Sequence, residues 1–199
     1  MLSGCGTERT SGWKESSSRQ SLERDGYLYW VNSRGSGLYL PILHAGIDQF
    51  HVCLKRWRRV FALRVDLRQP YYNPDSKRVS RFRKNLARRL ERSHGVRDVG
   101  FLWVREQERS KAQHYHLVFM MDGDLVRSPN ALWPMIRETW ERVAPGGSVH
   151  FPKDGHYFVH RDDAKARREF VWRVSYLAKC RGKGYRPPAS NDYSASRLT

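Results

Sequence analysis

A chain of 199 residues with 39% hydrophobic side chains is long enough to bury a core and too apolar to be disordered, so one domain with a tail is expected. Lys and Arg total 37 against 20 Asp and Glu, a formal charge of +17 that makes phosphate the natural partner. Cys5, Cys53 and Cys180 are widely spaced with no CxxC pairing, residues 1–18 are polar, and no apolar run is long enough to span a bilayer. This argues against a disulfide scaffold, a zinc ribbon, a signal peptide and a membrane anchor. It predicts a cytoplasmic protein that binds nucleic acid, and the interleaving of arginines with aromatics favours that over a surface lying on anionic lipid.

Residues 1–40 read as a flexible basic arm in which 27–31, Tyr27-Leu28-Tyr29-Trp30-Val31, docks at most a short strand. From Pro41 the pattern becomes globular. A helix over 41–57 turns Ile42, Ala45, Phe50 and Leu54 inward. Residues 60–68 alternate with period two, so that Phe61, Leu63, Val65 and Leu67 line one face and Arg64, Asp66 and Arg68 the other. An amphipathic helix over 78–92 buries Val79, Phe82, Leu86 and Leu90 and carries its arginines outside.

Apolar runs at 99–105 and 116–121, joined by a polar turn, predict a hairpin. A helix over 133–143 follows, with Pro134 in its first turn, and then a second hairpin of 149–151 with 156–160. Asp162 or Asp163 caps a last helix that is expected to run to about Cys180. The order predicts an α+β domain over 41–182 with a five-stranded, mainly antiparallel sheet flanked by helices, and a flexible tail over 183–199.

The chemistry centres on Gln113-His114-Tyr115-His116-Leu117. In a strand, His114 and His116 project from one face, so both imidazoles can converge on one ion. The hairpin returns them beside Glu106, with Glu108 a competing ligand of the same strand parity. A carboxylate with two imidazoles leaves room for phosphate oxygens and water, which suits Mg2+ or Mn2+ acting on a phosphodiester. On the last helix Tyr176 and Lys179 lie three apart, off the apolar stripe of Phe170, Val174, Leu177 and Ala178, with Trp172 and Arg173 nearby. A tyrosine with a lysine one turn on suits a nucleophile with a cation to balance transferred phosphoryl charge, and equally a surface tyrosine packed along a lysine stem. Arg64 and Arg68 are candidate contacts to a nucleic-acid backbone, and Trp172 to a stacked base. His156 and His160 near Cys180 have zinc-like spacing but flank a strand-like run, and are read as strand ends. No GxxxxGK[ST] phosphate loop is present.

Three ordered motifs, Arg64-Val65-Asp66-Leu67, Glu106 with His114-Tyr115-His116, and Tyr176-Leu177-Ala178-Lys179, resemble the HUH endonucleases that initiate rolling-circle replication. The chain looks most like their inovirus-type replication proteins, found in phages and prophages. The resemblance spans roughly residues 60–179. It implies a histidine-bearing five-stranded antiparallel sheet, a divalent metal held by His114, His116 and Glu106, and a nucleophile Tyr176 helped by Lys179. It also implies a 5′-phosphotyrosyl intermediate on single-stranded DNA at a replication origin. One well-placed tyrosine on the last helix suggests the single-tyrosine class, and the missing phosphate loop leaves any helicase to another chain. The alternatives are a non-catalytic nucleic-acid-binding module and a transposase or relaxase of the same chemistry.

Overall fold

The structure is a computed structural model that describes residues 16–107, 112–187 and 190–199. Cys5 and Glu108 lie outside the described residues. Among the described residues there are ten strands and four α-helices: β1 (Ser16–Ser17), β2 (Ser21–Arg24), β3 (Tyr27–Trp30), β4 (Leu38–Tyr39), α1 (Leu40–Arg56), β5 (Arg59–Arg68), α2 (Lys77–His94), β6 (Gly100–Glu106), β7 (His114–Asp122), α3 (Leu132–Val143), β8 (Ser148–His150), β9 (His156–His160), α4 (Ala164–Ser175) and β10 (Tyr193–Ala195).

The fold is α+β, and its main sheet has six strands where five are expected. The order is β10-β6-β7-β5-β8, with β9 also on β5, and every pairing is antiparallel. The sixth strand comes from the segment read as a flexible tail: Tyr193, Ser194 and Ala195 register with Val104, Trp103 and Leu102. No long apolar run announces β10, because its strand pairing is with a distant segment. The second expected hairpin is also absent. β8 and β9 pair end to end along the ten-residue β5, with His150 opposite Asp66 and His156 opposite Leu63, and not with each other.

Strand parity divides the core in two. Phe61, Leu63, Val65, Leu67, Trp103, Tyr115, Leu117 and Phe119 face α2 and α3, where Phe82, Leu86, Ile136 and Trp140 fill the layer. Val60, Ala62, Leu102, Val104, Val118 and Met120 face α1 and α4, against Ile42, Phe50 and Phe170. The strands meet α1 so closely that a Cβ on Gly100 would lie 2.7 Å from Cys53 Sγ. A residue without a side chain is therefore required there.

The N-terminal segment is seated on the core. Residues 16–39, expected to be largely a flexible arm, form the β2–β3 hairpin and the β1–β4 pair, with Tyr29, Val31 and Leu38 buried. Tyr29 Oη lies 2.7 Å from His51 Nε2, and Asp25 at the hairpin turn holds His51 Nδ1 at 2.9 Å. These bonds satisfy polar atoms that burial would otherwise leave without partners. Among the described residues no helix is long and apolar enough to cross a membrane.

A candidate metal and nucleophile site

On the α1/α4 face, the alternate positions of β5, β6 and β7 change from apolar to ionisable at one end of the sheet. β5 runs from Val60 and Ala62 to Arg64 and Asp66, β6 from Leu102 and Val104 to Glu106, and β7 from Met120 and Val118 to His116 and His114. The antiparallel register sets Glu106 opposite His114, Val104 opposite His116, and His116 opposite Asp66. Five ionisable side chains thus share one face at this end of the sheet.

Glu106, His114 and His116 bring one donor atom each to within 4.8 Å of the others. Glu106 Oε2 is 3.1 Å from His116 Nε2 and 3.5 Å from His114 Nε2. Donors that share an ion at about 2.1 Å stand about 3 Å apart, so Glu106 stands close to a shared-ligand distance from both histidines. The other carboxylate oxygen is occupied: Lys183 Nζ donates to Glu106 Oε1 at 2.7 Å, and also to the Lys179 carbonyl at 2.5 Å. Glu106 is therefore presented to the histidines through a single oxygen.

Asp66 orients the second histidine. Its Oδ1 is 2.6 Å from His116 Nδ1, so the imidazole donates there and turns Nε2 toward Glu106. A carboxylate behind a metal-facing histidine fixes its tautomer and strengthens its donor nitrogen. Arg64 completes the row, with Nε 3.2 Å from Asp66 Oδ1.

The charges are mutually dependent. Burial pushes the Glu106 carboxyl up, but His114, His116 and Lys183 outweigh it and hold it well below the usual carboxylate range. Burial drives His116 down while Asp66 and Glu106 raise it, with a net rise. Burial likewise raises Asp66, yet His116 and Arg64 bring it below its ordinary value. For the Lys183 ammonium burial prevails over the Glu106 attraction, and its pKa falls.

Tyr176 stands above this row. Its ring centroid is 6.4 Å from that of His116, and the Arg64 guanidinium carbon lies 5.0 Å over the ring. The last helix does not run on to Cys180. α4 ends at Ser175 and a single 3₁₀ turn, Tyr176–Ala178, follows. Ser175 Oγ donates to the Trp172 carbonyl and accepts the Asn32 amide, drawing the chain out of helical register at that point. Tyr176 is 43% exposed, and its hydroxyl has no hydrogen bond among the described residues.

A cleft of about 430 Å³ opens on Tyr176, Glu106, His114 and His116. Its walls are Lys179, Arg181 and Gly182 on one side and residues 34–36 on the other. Lys179 Nζ donates to the Arg34 carbonyl, and the Arg181 amide to Ser36 Oγ, so the N-terminal segment closes one wall.

Of the residues expected at the site, Glu106, His114, His116, Tyr176 and Lys179 come together in this cleft. Arg64 is turned inward onto Asp66 and Tyr176. Arg68, Trp172 and Arg173 are exposed and do not line the cleft. His156 packs beside Phe61, and His160 is 3.5 Å from Asp162. Neither joins a metal-ligating group among the described residues. Asp66 and Lys183 were not foreseen in these roles. Asp66 carried a signal, since it shares the charged face of its strand with Arg64. Lys183, in a Gly- and Pro-rich stretch, carried none.

The profile of one family, described as the YagK/YfjJ C-terminal domain, matches residues 28–191, which takes in β4 to β9, all four helices and every cleft residue. The chain is similar to the YfjJ protein of Escherichia coli (strain K12), itself described as uncharacterized. The two are 26% identical over 160 residues, covering 61% of this chain and 77% of the relative. No solved structure matches.

Proposed function

The chain belongs to the YagK/YfjJ C-terminal domain family, and for this member we propose metal-assisted, site-specific nicking and rejoining of single-stranded DNA with Tyr176 as nucleophile. The observation that carries the reading is the juxtaposition of an exposed tyrosine with a carboxylate–bis-histidine group: Tyr176 and His116 ring centroids are 6.4 Å apart in one cationic cleft.

Glu106 Oε2, His114 Nε2 and His116 Nε2 would hold Mg2+ or Mn2+, which when bound supplies Lewis-acid polarisation of the scissile phosphate. The remaining steps belong to the chain. Tyr176 Oη attacks phosphorus, the bond from phosphorus to the 3′ oxygen breaks, and the phenol proton ends on that oxygen. The products are a 3′-hydroxyl and a 5′-phosphotyrosine. The ester keeps the bond energy, so a 3′-hydroxyl can reverse the step and reseal the strand. Arg64 fixes the plane of the Tyr176 ring from one face. Lys179, tethered to the Arg34 carbonyl, keeps a cation at the cleft wall where phosphoryl charge develops. We assign this chemistry to the start of rolling-circle replication of a phage or mobile element, with strand separation left to a separate helicase.

The test is incubation with labelled single-stranded oligonucleotides covering the element's own origin region, with Mn2+, followed by a denaturing gel. A covalent adduct that disappears with chelator and in Tyr176→Phe supports the reading. Salt-sensitive binding with no adduct under any sequence or metal would establish the non-catalytic module instead. An adduct that survives Tyr176→Phe would move the nucleophile elsewhere.

A further inference from the structure

Helix α2 carries its cations in two sets. The inward set is engaged: Arg78 donates to Gln69 Oε1 at 2.8 Å and lies over Tyr71, Arg83 lies 4.2 Å over Phe101, and Arg89 pairs with Glu138 at 2.7 Å. The outward set is Lys77, Arg81, Lys84, Arg88 and Arg92, all exposed. Lys77 reaches Asp75 at 3.6 Å. The other four have no hydrogen bond, ion pair or ring partner among the described residues. From Lys77 to Arg92 the five cations are spaced by four, three, four and four residues, one row along the helix about 22 Å long at about 1.5 Å per residue.

Local electrostatics oppose this row. Like charges three and four residues apart repel one another along a helix. Lys77 and Arg78 stand at the end where the helix dipole disfavours cations, the first turn has no acidic residue, and Ser76 makes no side-chain capping bond. Burial of Val79, Phe82, Leu86 and Leu90 against the sheet, with the contacts of Arg78, Arg83 and Arg89, keeps the helix in place. A concentrated patch of exposed like charge attracts an extended polyanion.

We propose that this outer row of α2 is a docking surface for the backbone of duplex DNA. Charge complementarity selects a polyanion, and the exposed positions of α2 narrow the choice. Besides the row they are Glu91 and Ser93, with no apolar side chain to enter a bilayer and no aromatic to stack on unpaired bases. None of the exposed aromatics near α2 stands on the row itself, since Tyr71 and Tyr72 precede the helix, with Tyr71 under Arg78, and Trp133 is on α3; Trp172 and Tyr176 lie on α4 or just after it, across the sheet. A projecting helix fits the wide major groove of B-form DNA and not the narrow one of A-form RNA. The protein thus holds duplex on one face, independently of any strand in the cleft on the other.

The proposal is tested on the full chain, in chelator, by fluorescence anisotropy with a 20-base-pair DNA duplex of unrelated sequence across a salt titration. The row variant is Arg81→Gln/Lys84→Gln/Arg88→Gln/Arg92→Gln. The control removes four exposed cations elsewhere: Lys55→Gln/Arg127→Gln/Lys153→Gln/Arg168→Gln. Each lost phosphate contact changes the slope of log affinity against log salt by about 0.9, so the row variant should flatten it by about 3 to 4 and weaken binding at least about tenfold. The control should lose less than half of that. The row variant should melt no lower than the parent, because repulsion along the helix is relieved. Arg81→Lys/Arg88→Lys/Arg92→Lys should keep the parent slope. Equal losses in row and control variants would overturn the proposal. So would binding to an RNA duplex or to anionic vesicles as tight as to the DNA duplex and equally lost in the row variant.

Discussion

Asp66 Oδ1 stands 2.6 Å from His116 Nδ1, and this contact decides which nitrogen of His116 faces Glu106. Asp66→Asn keeps the shape and removes the charge. An amide can satisfy Nδ1 through its oxygen, but it holds the proton there less firmly and weakens Nε2 as a donor. Mn2+ affinity, read by electron paramagnetic resonance titration, should fall by roughly 10- to 100-fold, and the melting temperature should fall too, because Arg64 and His116 lose their carboxylate. An unchanged affinity would remove Asp66 from the site.

Lys183 is 2% exposed and bound to Glu106 Oε1. Lys183→Met should destabilise the protein by about 3 kcal/mol, because it leaves Glu106 buried without its cation. The sign of the metal response is the sharper test. With no ammonium beside Glu106, Mn2+ becomes the cation that neutralises it, so added Mn2+ should raise the melting temperature of Lys183→Met more than that of the parent. Equal increments would show that Lys183 and the ion do not share Glu106.

The close approach of β6 and α1 can be tested without reference to the site. Gly100→Ala places a Cβ 2.7 Å from Cys53 Sγ and 3.2 Å from Met120 Cβ, and should cost about 1–3 kcal/mol in denaturant unfolding. Cys53→Ala removes the sulfur that the new methyl meets. The double variant should therefore recover part of the loss, with a measurable coupling between the two positions. Additive losses would mean that the clash is relieved through Met120 instead.

Removing residues 192–199 deletes no candidate ligand, yet it should weaken Mn2+ binding. The deletion takes away β10 and Asp192, whose carboxylate accepts from the Gly184 amide at 3.2 Å and pairs with Arg186 at 3.1 Å. Those bonds anchor the stretch that carries Lys183 and Gly182 to the cleft. Titration of the truncated chain with Mn2+ checks the outcome, and unaltered affinity would show that the 179–186 stretch holds itself.

What was legible in the sequence was local. Period-two alternation marks β5, and the spacing of Val79, Phe82, Leu86 and Leu90 marks α2. Parity alone puts His114 and His116 on one face, and a hairpin between adjacent segments returns Glu106 beside them. What was hidden depends on distant pairing. Asp66 meets His116 only because β5 pairs with β7 in one particular register, 50 residues apart. β10 has no apolar signature of its own, and gains its strand conformation from the free edge of β6. The same holds for Lys183, whose burial is created by the loop that β10 anchors. The end of α4 escaped notice for another reason: Ser175 is tolerated inside a helix, and it is the Asn32 amide from the N-terminal segment that makes it a breaking point.

The proposed reaction is exchange of a phosphodiester by Tyr176 at the Glu106–His114–His116 site. Its most direct measurement is mass spectrometry of the wild-type protein after reaction with single-stranded DNA and Mn2+, nuclease trimming and proteolysis. The expected product is a nucleotide joined through its 5′ phosphate to the peptide containing Tyr176, absent in His116→Ala, together with a released strand whose 3′-hydroxyl a polymerase extends. A nucleotide on another residue, or a cleaved strand with a 5′ phosphate and no peptide attached, would contradict it.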